Sequence, residues 1–232
     1  MAERGNQNLP INYADQLKNE VADIANRISS GVRNKITATG GSSFTLPNGD
    51  TGTEFEVVVV DFVATSEFFD RPYNKSKPMP PACFAIGFNP RDMAPSPNSP
   101  NVQATGCGTC AHNQWMSGAG AGKACKNGRR VAVTPLRPLD DGSRPVWIID
   151  IPPASIKYFD AYVNKVATSE KLPPIGVLTK VKHEANSAYS APRFSVVRPL
   201  TNEELGEVYP LREEASSLIT REPDVTGWVP VK

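Results

Sequence analysis

Long apolar runs are absent from this chain. The longest, Val57 to Val60 and Val146 to Ile149, are strand-sized and far short of the roughly eighteen residues a membrane span needs. The first ten residues, MAERGNQNLP, lack the apolar centre of a secretory signal. Together these absences lead us to expect a cytosolic protein. Histidine is scarce, with two in 232 residues, and nothing marks a Ser-His-Asp triad. The acids Asp140, Asp141, Glu203, Glu204, Glu213 and Glu214 fall at turns and on exposed helix faces with no catalytic grouping, so an enzyme is not expected. An excess of charge of one sign is also missing: the net charge of +1 excludes a polycation. Cysteine is limited to four, and a reducing compartment argues against pairing them in structural disulfides.

The 22 prolines predict long irregular connections. Charge is unevenly spread. Between Glu67 and Arg137 there are nine Lys/Arg against three acids, while the remainder is net acidic. A basic middle in an acidic frame points to a localised anionic partner.

Apolar spacing at Leu17, Val21, Ile24 and Ile28, after Asn12 as cap, predicts a helix within an N-terminal segment 1–35. A β-rich domain then spans 36–200. Asn48-Gly49 is a turn signal, flanked by Phe44/Leu46 and by a valine-dense strand, Phe55 to Val63. Short strands are expected at Cys83–Phe88, Arg130–Thr134 and Val146–Ile151, the last two joined through Asp140-Asp141-Gly142. Pro153 should open a helix carrying Ile156, Phe159, Val163 and Val166. Val177–His183 and Arg193–Val197 read as a hairpin. In the final segment, 201–232, Thr201 and Glu204 form a capping-box pair, and Pro210 should interrupt the helix they open. The class expected is mainly β (α+β): a barrel resembling the oligonucleotide-binding (OB) fold, with a zinc-binding insert at about 83–127 and peripheral helices.

The cysteines follow the pattern C-x23-C-x2-C-x14-C. Cys107 and Cys110 have the spacing that lets two thiolates grip one ion from a tight turn, and Gly106 and Gly108 free the backbone for it. Cys83 and Cys125 are the obvious further ligands, with His112 competing for one place. Four soft thiolates select zinc, or less readily an iron–sulfur cluster, in a closed structural site. Lys123, Lys126, Arg129 and Arg130 lie close in sequence to Cys125; with Lys75 and Lys77 they are the candidate phosphate contacts. Phe69, Tyr73 and Trp115 are the candidate stacking platforms for nucleobases. The run Gly118 to Ala124 fails the phosphate-loop pattern, because Ala124 stands where a hydroxyl residue is required.

Several blocks resemble a family of small bacteriophage and prophage proteins: Phe44 to Gly49, Pro80 to Gly87, Cys107 to Cys110, Asn113-Gln114-Trp115, Gly122 to Asn127, and Phe159 to Val163 followed by Val177 to Thr179. The family looks like four-cysteine, zinc-containing single-stranded DNA-binding proteins. The resemblance implies four thiolate ligands, with His112 incidental. It also implies a sequence-nonspecific role in phage DNA replication or recombination, in the host cytoplasm. Single-stranded DNA and phage replication or recombination proteins are the partners expected, and a homo-oligomer is compatible with this reading. The competing expectation is a zinc-stabilised protein–protein interaction module without nucleic-acid binding. The apolar, basic ending Thr226 to Lys232 departs from the acidic tails common in single-strand binders.

Overall fold

A computed structural model describes residues 34–39, 43–72, 74, 76, 78–184 and 191–230. The helix expected around residues 13–29 lies outside them.

The architecture is α+β and mainly β, with two sheets. A small antiparallel sheet is built from β1 (Thr37–Thr39), β2 (Ser43–Thr45) and β3 (Thr51–Gly52) in that order. The Asn48-Gly49 turn joins β2 to β3: Gly49 has φ 94°, and the Leu46 N–H donates to the Asp50 carbonyl at 2.8 Å. The valine strand does not pair with β2, as the sequence suggested, but starts a second sheet.

That sheet runs β7–β6–β4–β8–β9, with β5 also on β4, all antiparallel. Its members are β4 (Glu54–Phe68), β5 (Cys83–Gly87), β6 (Lys126–Thr134), β7 (Trp147–Ile151), β8 (Val177–His183) and β9 (Pro192–Pro199). At 15 residues β4 is long enough to serve two neighbours along one edge. Glu54 to Val58 pair with β8, and Ala64 to Phe68 pair with β5. The other edge belongs to β6.

Both faces of this sheet are buried. Val57 and Val59 face a cluster containing Phe159, Tyr162 and Val166, from helix α1 (Ile156–Lys165) and the turn after it. Val58 and Val60 face a second cluster with Val208, Ala215 and Ile219, from α2 (Asn202–Val208) and α3 (Arg212–Ile219). Each such fully buried side chain contributes about 1.5–3 kcal/mol. A bulge between Val59 and Asp61 resets the alternation. Phe62 then meets Phe159 edge-to-face at 5.2 Å, and Val63 joins the second cluster.

The barrel expectation is not met. Among the described residues the strand path stays open, and helices cover opposite faces of the sheet. A strand as apolar as β4 can bury both faces between helices as readily as it can line a barrel. No helix among the described residues is long and apolar enough to cross a membrane.

The end of the molecule follows the expected signals. Glu204 N–H donates to the Thr201 hydroxyl at 3.3 Å, and the Glu204 carboxylate accepts from Thr201 N–H at 2.8 Å. Around Pro210 the helix tightens into a 3-10 turn, Tyr209–Leu211, before α3 begins.

Candidate metal centre and adjoining cleft

Sheet register creates the site. The far end of β4 lies between the starts of β5 and β6: Phe68 is opposite Cys83, and Glu67 is opposite Lys126. Cys83 and Cys125 therefore flank one strand end, although 41 residues separate them. The connection between β5 and β6 folds back over this end. Cys107 N–H donates to the Met93 carbonyl at 2.9 Å, and the Cys107 side chain joins Ala64, Ala85 and Met93 in a small cluster. Cys110 precedes a 3-10 turn, Ala111–Asn113. The Cys125 N–H donates to the His112 carbonyl at 2.8 Å, closing the loop.

All four cysteines are free thiols and line one cavity of about 20 Å³. That is room for a single water-sized body. Cys83, Cys107 and Cys110 are buried and Cys125 partly so. Burial pushes the Cys107 thiol up to about 11, with the neighbouring Cys83 and Cys110 adding to the effect. Burial also pushes Cys125 up to about 12, reinforced by Cys107, Cys110 and Cys83 and opposed by Lys123. The thiols thus sit within electrostatic reach of one another. Without a cation the Cys107 and Cys125 thiols stay protonated at neutral pH, and a divalent ion reverses that balance. Among the described residues, no group of three or more His, Cys, Asp or Glu side chains already stands in position to hold a metal ion.

The His112 ring stacks on Phe68 at 4.1 Å between centroids and does not line the cavity. What His112 supplies is its carbonyl, which also accepts from the Ser117 hydroxyl at 2.9 Å.

Side-chain amides fasten the loop. Asn113 donates to the Cys107 carbonyl at 2.9 Å, and Gln114 donates to the Cys110 carbonyl at 3.1 Å. The Asn113 oxygen accepts from Asn127 at 2.8 Å and from Lys123 at 3.4 Å. Asn127 in turn accepts from the Ser66 hydroxyl of β4 at 2.8 Å. This relay ties the cysteine loop to the sheet. The sequence reading gave Asn113 and Gln114 no role; two adjacent amides three and four residues past Cys110, in a glycine-rich loop, were the available signal. Gly118 is required on its own account, since a Cβ there would stand 2.7 Å from the Lys123 carbonyl carbon.

The basic candidates divide. Lys123 lies 5.5 Å from the centroid of the Trp115 ring, and Trp115 is 75% exposed. Lys126 is exposed and has no ion pair among the described residues. Arg129 and Arg130 are committed elsewhere. Arg129 grips both carboxylate oxygens of Asp160 on α1, at 3.1 and 2.9 Å. Arg130 donates to the carbonyls of Ile219 and Arg221, at 3.1 and 2.6 Å, beside α3. Successive residues of a strand point to opposite faces, and here each guanidinium clamps the helix layer on its own side. Tyr73, Lys75 and Lys77 lie outside the described residues.

Phe69 is exposed and lines a cleft of about 540 Å³, between the connection that follows β4 and the glycine turn of the cysteine loop. Arg71 and Lys126 share its walls with Pro72, Met79 and Ala119.

No family model, no curated protein and no solved structure matches the chain.

Proposed function

We propose that the chain binds single-stranded DNA along the cleft and the adjoining tip of the cysteine loop, in the replication or recombination of a bacteriophage. The observation that carries this reading is the cleft itself. Its walls join an exposed aromatic ring, Phe69, to two cations, Lys126 and Arg71, whose guanidinium also donates to the Val229 carbonyl at 2.5 Å, and the cysteine loop that forms one side carries Trp115 with its attendant Lys123. Aromatic faces accept bases of any identity, and cations track the backbone.

Zinc held by Cys83, Cys107, Cys110 and Cys125 would stiffen one wall. The donor set fits: four thiols from three separate stretches of chain line one ion-sized cavity. Metal entry would draw the four sulfurs together into a tetrahedron. Four protein ligands leave no open position, and the role is structural. On this reading the protein acts in the host cytoplasm, with phage replication or recombination proteins as partners.

The test is a fluorescence titration of labelled oligo-dT at a series of salt concentrations, with metal content measured in parallel. Single strands give a slope of about −0.7 in log affinity against log salt per neutralised phosphate, so Arg71, Lys123 and Lys126 predict a slope of about −2. Stripping zinc with a strong chelator should lower the affinity. A titration without salt-dependent binding overturns the reading.

One observation favours a second reading, a zinc-stabilised protein-docking module. Trp115 and Met116 are adjacent and 75% and 79% exposed at the loop tip. In that case single strands, duplex and RNA all fail to bind.

A further inference from the structure

The cleft walls contain a group that phosphate binding does not explain. Asp70 lines the cleft beside Arg71 and Lys126 and is half-buried, yet it makes no hydrogen bond or ion pair among the described residues. A carboxylate there repels a phosphodiester backbone. It suits a ligand edge that brings N–H donors. Asn74, which also lines the cleft, has its side-chain oxygen occupied by the Ser76 N–H at 2.9 Å, which leaves its amide N–H groups to donate.

An acceptor from Asp70 and a donor from Asn74 in one cleft suit a base that offers an exocyclic amine next to a ring-nitrogen acceptor. Cytosine and adenine offer that pair, and thymine presents the reverse. The cleft volume of about 540 Å³ falls within the roughly 300–1,000 Å³ of small-molecule pockets. It exceeds what a flat stacking platform requires.

We infer that the Phe69 cleft is a pocket for one unstacked, amino-bearing nucleobase, cytosine or adenine, read by Asp70 and Asn74 with Phe69 as its platform and Lys126 on the adjoining phosphate. This rests on the single-strand reading and refines it: binding is tolerant of sequence along the strand but selective at one position.

The experiment compares oligo-dC and oligo-dT of equal length on the full-length, zinc-loaded protein, as wild type, Asp70→Asn, Asp70→Ala and Phe69→Ala. Wild type should bind oligo-dC about tenfold tighter, the discrimination of one good hydrogen-bonded edge. Both Asp70 variants should bring the ratio close to one, with oligo-dT binding more tightly than before because a repelling charge is gone. Phe69→Ala should weaken both oligomers alike. A dC/dT ratio that is the same in wild type and both Asp70 variants overturns the pocket and leaves the single-strand reading standing. If neither oligomer binds wild type, the single-strand reading fails and takes the pocket with it.

Discussion

The two halves of β4 are held in opposite ways. From Val57 to Val60 every side chain is buried, alternately under α1 and under α2 and α3. From Ala64 to Phe68 the apolar support among the described residues is a four-residue cluster, Ala64, Ala85, Met93 and Cys107, and the Phe68–His112 stack, with the thiols and an amide relay beyond. The first half is stabilised by apolar area, which is non-directional and forgiving of small shifts. The second depends on directional contacts, which fix positions but lose their value when any one partner goes. A binding site is more usefully built on the second kind of material, supported by the first.

The sharpest way to break the contrast is to empty the valine half. Phe159 is 0% exposed and packs edge-to-face on Phe62 and Phe194, at 5.2 and 5.1 Å. Phe159→Ala should cost about 3–5 kcal/mol of global stability, read by chemical denaturation. If the proposed zinc is bound, its content per folded molecule should not change. A smaller and local effect is expected from Asn113→Ala, which strands the Cys107 carbonyl and the Asn127 amide. The cost is about 1–3 kcal/mol, and hydrogen exchange should report it as faster opening of residues 107–125, with the amides of Val57 to Val60 unaffected. Equal acceleration in both regions would mean that the two halves of β4 open together.

The smallest effect belongs to neither half. The Arg198 guanidinium, then the Thr201 N–H, hold the Glu204 carboxyl down to about 2. A group lowered in this way stabilises the fold above its ordinary value near 4.5, and that contribution fades as pH falls toward 2. Melting temperatures of wild type and Glu204→Gln should therefore differ slightly at neutral pH and converge at the acid end. Because the Glu204–Arg198 pair lies at the surface, the difference is small.

Much of the β-rich framework could be read ahead because its signals are local. Asn48-Gly49, the Thr201–Glu204 box, Pro153 and Pro210 each act within a few residues, and each appears where its chemistry demands. The shared neighbourhood of the cysteines was legible from spacing, because thiols drawn together from a β-strand start and a glycine-rich turn leave a pattern in the chain. The open sheet was not legible. Whether Val57 to Val60 line a barrel or lie between two helix layers depends on what covers each face, and periodicity is silent on that. Nor did sequence position predict that Arg129 and Arg130 are held by Asp160 and by the end of α3. Two adjacent arginines on a strand look like a cationic patch until the helices on either side are known.

The bulge at Val59/Asp61 has a consequence for how the lineage of this protein can change length. Inserting one residue between it and Phe68 would exchange the orientations of Ser66 and Glu67, which pulls the hydroxyl from Asn127 and turns a carboxylate toward the thiols. Natural insertions and deletions should accordingly be purged from that short stretch and accumulate in the proline-rich excursion at 89–106, where no β-ladder keeps count.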